Sequence, residues 1–306
     1  MEFFKANTNI NFLGQRKWAA ILSTILFILS CLSIEINGLN KGLDFTGGTE
    51  IQLHFPFAAD LTHIRDTLVT AGFMDATVIN FGTSEDVLVT VSSKKKATTE
   101  SINKEEVARL FPDATLQQMD YIGPQVGQEL ATRGTLAVVI ALLGTMLYIA
   151  LRFEWRFSVG STVALVHDPV LILGLFSFFH WEFNLVSLAA ILTVIGYSLN
   201  DTIVIFDRVR ENFRKYRKAT SLDVVNQSIN QTLSRTIMTS VLTLIVVLCL
   251  FMLGGSLLHG FALAMMIGII VGTYSSIYVA GSLALALGLS RQHLLPISKE
   301  ALDERP

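Results

Sequence analysis

The sequence predicts a polytopic α-helical membrane protein: six spans, and one small α+β domain outside the bilayer. Three observations carry this. The 306 residues are 51% apolar and only 16% charged, with a mean hydropathy of +0.53, too apolar for one soluble domain. Six runs approach the roughly 20 apolar residues that a crossing needs. Between the first two runs lies a long segment that switches between strand and helix periodicity.

The spans are expected at 18–36, 131–151, 158–179, 184–206, 234–253 and 260–289. The first follows Arg16 and Lys17. It lacks a clean small-residue cleavage site, and "ILSC" fits a lipoprotein box poorly because of Leu29, so it reads as an uncleaved anchor. Lys and Arg set the orientation. Residues 1–17, the loops at 152–156 and 208–218, and the tail 291–306 carry them, whereas the short loops at 180–183 and 254–259 carry none. Both termini are therefore expected in the cytoplasm. The basic stretch 208–218 is expected to be a helix held near anionic lipid.

Residues 37–125 are read as the external domain, and 126–290 as the five-helix remainder of the membrane part. "TEIQLHF" alternates like a strand. "ADLTHIRDTLVTAG" carries Leu61, Ile64, Leu68 and Val69 on one helical face, with Gly72 as its stop. "ATVINFG" and "DVLVTVS" form a hairpin around Thr83–Glu85, "NKEEVARLF" is a short helix capped by Asn103, and "ATLQQMDYIG" closes the domain. The order β-α-β-β-α-β predicts a ferredoxin-like sandwich. Lys94, Lys95 and Lys96 read as a solvated turn. "GLDFTGG", residues 42–48, reads as a flexible junction leading into a strand, and lacks the GK[ST] ending of a phosphate loop.

Several chemistries are excluded. A net charge of −2 argues against nucleic acid as partner. Cys31 and Cys249 lie in apolar runs and read as buried apolar side chains, not a disulfide. His54, His63, His167, His180, His259 and His293 show no metal-ligand spacing. No metal and no cofactor is expected, and no enzyme activity. Asp168 and Asp201 could be an intramembrane protease dyad, but Asp201 sits in "SLND", not GxGD, and the two lie at different depths.

What remains is polar chemistry inside the membrane. A carboxylate at a helix centre costs about 2.5–3.5 kcal/mol on insertion scales. Thr193, Gly196, Tyr197, Asn200, Asp201 and Val204 share one face of the fourth span, which is expected to look into the bundle. Thr232, Arg235, Thr236, Thr239 and Thr243 make a matching stripe on the fifth. Asp201 lies about 9 Å inside the boundary at Asp207, and Arg235 about 5 Å inside its own. The two are expected to interact, as a static ion pair or as a proton site. Burial favours the neutral carboxyl and an approaching arginine favours the charged one, so protonation would change as helices move. His167 and Asp168 fall roughly 16–18 Å from Arg156, near mid-membrane. They read as a proton relay or as a polar cluster stabilising a kink at Pro169. Gly268 and Gly272 read as close helix packing.

"GLDFTGGTEIQL", "MDYIGPQVGQEL", "IGYSLNDTIVIFDRVREN" and "QTLSRTIMTS", in that order, resemble the SecF branch of the SecD/SecF family of bacterial Sec protein-export membrane proteins. The resemblance covers about residues 10–290. It implies a membrane half like that of resistance-nodulation-division transporters, a periplasmic external domain and an inner-membrane location. It implies SecD, the SecYEG channel, YajC and the translocating preprotein as partners, and late translocation driven by the proton gradient. It places proton movement at Asp201 and Arg235, with Asn200 and Thr239 beside them. The rival expectations are a small-molecule transporter subunit with a midplane proton site and a structural scaffold without proton coupling.

Overall fold

The structure is a computed structural model that describes residues 9–74, 76–80, 83–92 and 102–293. Lys94, Lys95 and Lys96 lie outside the described residues, as does the tail beyond residue 293. Among the described residues, six helices are long and apolar enough to cross a membrane. They are α1 (Arg16–Asn37), α5 (Pro124–Arg152), α6 (Trp155–Phe178), α7 (Leu185–Lys215), α8 (Ser221–Leu253) and a composite sixth. The sixth starts as α9 (Gly255–Ser275), passes through a π-turn (Ser276–Ala280) and ends as α10 (Gly281–Ala286). The sixth span, expected at 260–289, is thus a helix with an internal change of pitch. α6 runs unbroken through Pro169.

α7 is the centre of the bundle, and glycines bring α9 against it. A Cβ on Gly268 would sit 2.2 Å from a Val194 methyl, and one on Gly272 would sit 2.9 Å from the Ser198 Cβ. These distances leave no room for any side chain, so the backbones approach as small-residue membrane interfaces do. One end of the bundle is closed by the rings of Phe153, Phe157 and Phe206, the last two 4.6 Å apart. Leucine, isoleucine and valine side chains of α1, α5 and α8 cover the outside. In water that would be a liability; in lipid it costs nothing.

The soluble part is built from β2 (Gly48–His54), α3 (Leu61–Thr70), β3 (Thr77–Asn80), β4 (Asp86–Ser92), α4 (Lys104–Leu110) and β5 (Thr115–Ile122). The sheet order is β3-β4-β2-β5 and every pairing is antiparallel, the ferredoxin-like arrangement. The alternation along β2 sets its faces: Thr49, Ile51 and Leu53 are buried, and Glu50, Gln52 and His54 between them are not. Ile51 and Leu53 pack with Ile64 and Leu68 of α3, Val87 and Val89 of β4, and Val107 of α4. Asp60 caps α3 through the Thr62 and His63 amides, and Asn103 caps α4 through Glu106.

Residues 42–48 are not a flexible junction. Leu43–Thr46 form one helical turn, α2. β1 (Asn40–Lys41) pairs in parallel with β6 (Glu182–Phe183) in the loop between α6 and α7. Gly47 has φ 70°, and a Cβ there would lie 2.7 Å from Pro124 at the start of α5. The glycines are needed for close approach and backbone sign. The Asp44 carboxylate accepts a hydrogen bond from the Leu185 amide at 2.9 Å. The soluble sheet is thereby clamped to the starts of both α5 and α7.

Candidate functional site

Two polar centres lie within the bundle. The first is Asp201 on α7, 3% exposed, with no partner for its buried Oδ2 among the described residues. Thr236 on α8, equally buried, also has a free Oγ1. Buried polar atoms are normally paired, so these two, on packed helices, single this place out as a candidate site.

Asp201 and Arg235 form no ion pair in this structure. Arg235 is exposed, as are Asn200 and Thr239. The Thr239 hydroxyl is spent on its own helix, donating to the Arg235 and Thr236 carbonyls at 3.1 and 2.9 Å. The expected inward face of the fourth span is therefore divided. Asp201 is buried and Tyr197 half-buried, but Thr193, Gly196 and Asn200 lie on the outer surface of the bundle. The other spans leave that side of α7 uncovered. Tyr197 points its hydroxyl at Ser240 Oγ, 3.4 Å away, and Ser240 meets Thr273 Oγ1 at 2.9 Å, linking α7, α8 and α9.

The second centre surrounds Asp168, 1% exposed. His167 Nδ1 lies 3.0 Å from Asp168 Oδ1, within hydrogen-bond distance. Its Oδ2 accepts from Ser198 Oγ of α7 at 2.6 Å and from Ser275 Oγ of α9 at 2.8 Å. Next to them, Thr202 and Ser276 hydroxyls meet at 2.8 Å, and the Ser276 hydroxyl donates to the Ser198 carbonyl at 3.2 Å. The cluster thus pins α6, α7 and the start of the π-turn together. π-turns recur at functional sites. Sequence reading named His167 and Asp168 but missed Ser198, Thr202, Ser275 and Ser276. The four-residue spacing of Ser198 and Thr202, which stacks them on one face, was the available signal.

The family model "Protein export membrane protein SecD/SecF, C-terminal" matches residues 102–290, and the "SecD/SecF GG Motif" matches residues 36–55. The chain belongs to the SecD/SecF family. It is 46% identical to protein translocase subunit SecF of Vibrio alginolyticus, covering 100% of this chain and 99% of the relative. It is also 46% identical to the Pseudomonas aeruginosa subunit, covering 97% and 98%. The crystal structure of SecDF, a translocon-associated membrane protein from Thermus thermophilus, superposes with a TM-score of 0.82 at 37% identity. The match takes in 93% of this chain and 39% of that longer one. A second SecDF structure, described as the super-membrane-facing form, gives 0.71 over the same coverage. The chain is thus a multi-pass membrane protein of the SecF type, and its α2 clamp lies inside the segment that the GG-motif model describes.

Proposed function

We propose that the chain is the SecF half of a SecDF assembly that uses the proton gradient to assist late translocation of preprotein through SecYEG, with Asp201 as the proton-carrying group. One observation carries this reading: Asp201 is buried with a free carboxylate oxygen, while Asn200, Arg235 and Thr239 around it face out of an incomplete bundle. A second half, SecD, would cover that side and bring Arg235 into a low-dielectric setting where its charge acts strongly on Asp201. Protonation of Asp201 would then weaken its attraction to Arg235 and let α7 move against α8. Since α7 begins at the Asp44 clamp, that movement reaches the sheet domain, which would hold emerging polypeptide and limit its return. One charge crossing 100 mV supplies about 2.3 kcal/mol, enough to bias a two-state packing.

This reading puts the termini in the cytoplasm, the sheet domain in the periplasm and the chain in the bacterial inner membrane. The positive loops on one side support it. YajC belongs with the same assembly, and the basic end of α7 with anionic lipid. The test is gradient-dependent export in vesicles depleted of SecDF and restored with SecD plus wild-type chain or Asp201→Asn, with complex assembly measured alongside. Export lost with assembly intact is the expected result. Export unchanged would make the buried carboxylate structural.

A further inference from the structure

We propose that His167 and Asp168 form a second proton-binding site in the bundle, distinct from Asp201, with His167 Nε2 as the atom that takes the proton. This deepens the proton reading of the bundle, but its test does not depend on that reading.

Three polar groups converge on the Asp168 carboxylate. Asp168 Oδ2 accepts from two hydroxyls and Oδ1 faces His167 Nδ1, and an ionised carboxylate accepts all three bonds. With Nδ1 carrying the ring hydrogen, the neutral imidazole leaves Nε2 as a bare lone pair. That atom is buried and has no partner among the described residues, although the His167 side chain is only 5% exposed. The centre then holds one net negative charge in the middle of a membrane bundle, which is costly. A proton added to Nε2 gives an imidazolium beside a carboxylate and removes that net charge, with no bond broken. The geometry thus offers a proton an open acceptor atom beside a carboxylate.

Among the described residues, no arginine or lysine pairs with His167 or Asp168. α1 contributes the Phe27 ring, stacked on the imidazole at 6.3 Å between centroids. α7 contributes Ser198, with Asp201 three residues on. α9 contributes Ser275; its neighbour Tyr274 donates its hydroxyl to the Ala19 carbonyl. The π-turn brings Ser276 and Tyr278. Arg152, Arg156 and Glu154 sit at helix ends; Arg152 pairs with Asp207 and Arg156 with Glu154, and Arg156 starts about 18 Å from Asp168 along α6.

The experiment is nitrogen NMR of the full chain in lipid nanodiscs with ¹⁵N-labelled histidine, read from pH 5 to 9. His167→Gln assigns the signal, and the remaining histidine signals report the fold. The His167 ring should pass from the neutral form with bare Nε2 to imidazolium as pH falls. The transition should persist in Asp201→Asn. In Asp168→Asn the imidazolium should appear at least one pH unit lower, a tenfold or greater loss of proton affinity. A ring that stays neutral throughout, one that stays charged throughout, or a transition that vanishes in Asp201→Asn each overturns the proposal. The wild-type and Asp201→Asn profiles decide it even if Asp168→Asn does not fold.

Discussion

Replacing Asp44 by alanine should loosen the start of α7 without touching the membrane interior. The Leu185 amide is one of the orphan donors at that helix terminus. The N-cap Asn184 serves the Ser187 amide and hydroxyl, so Asp44 is the acceptor for Leu185. Alanine removes both an acceptor and a negative charge at the positive end of the helix. Leaving a partly buried amide unpaired costs about 1–3 kcal/mol, and the charge–dipole contribution about 0.3–1 kcal/mol. Leu185 and Asp44 are only half-buried, so the lower part of the range applies, about 1–2 kcal/mol. Asparagine keeps the acceptor and loses only the smaller contribution. The assay is amide hydrogen exchange by mass spectrometry on the full chain in nanodiscs, comparing peptides over residues 40–46 and 183–190. At about 1.4 kcal/mol per factor of ten, alanine should cut protection there by about five- to thirty-fold and asparagine by less than about five-fold. Equal losses in the two variants would mean that charge, not the hydrogen bond, holds the joint. Unchanged protection in alanine would mean that α2 does not clamp α7 at all.

Gly268→Leu should force α9 off Val194 and lower the melting temperature of the reconstituted chain by the equivalent of about 1–3 kcal/mol; adding Val194→Ala should restore part of it. Leu68→Ala, at a fully buried site of the sheet domain, should cost about 2–5 kcal/mol, read as faster protease cleavage within residues 37–123. Glu50 lies opposite Asp120 across the β2–β5 pairing. Burial first, then Asp120 and Asp44, hold its carboxyl above the ordinary 4.5, against the pull of a Gln52 hydrogen bond. The folded chain holds that proton more tightly than the unfolded one. This group's contribution to stability should therefore rise as pH falls from neutral through the raised value, and level off below 4.5. Glu50→Gln should raise the neutral-pH melting temperature of the domain and flatten that slope; an unchanged slope would assign it to another group.

Hydropathy made the six crossings legible because the bilayer demands long apolar runs. It did not show where the helices end. α7 runs to Lys215 and α8 starts at Ser221, well beyond the apolar limits at 206 and 234. Their polar extensions hold each other: Asn212 donates to Ser228 Oγ at 2.8 Å and to Gln231 Oε1 at 2.9 Å. Hydropathy sees the membrane edge, not the side-chain links that continue a helix through it. The strand order of the soluble domain was readable from alternation and caps. The role of residues 42–48 was not, because a glycine chosen for close approach and one chosen for freedom look identical in a sequence. The inward face expected for Asn200 failed for a different reason. Helical spacing places residues on a common face but does not say what covers it.

α7 is the element that makes these separate features one device. Its 31 residues span about 46 Å at 1.5 Å per residue. Along that length it meets Asp44 at its first turn, Asp168 through Ser198 at its middle, and exposes the Asn200 side beside Asp201 just after. α7 is packed against glycines on α9, and close-packed interiors transmit strain. In the proton cycle proposed above, a proton bound or lost near Ser198 or Asp201 would have two outlets. It would move α7 along α9 past Gly268 and Gly272, or be absorbed at the π-turn, whose wider turn sits beside the Asp168 centre. The first outlet would pass through the Asp44 clamp to the sheet domain, and a rigid clamp would favour it.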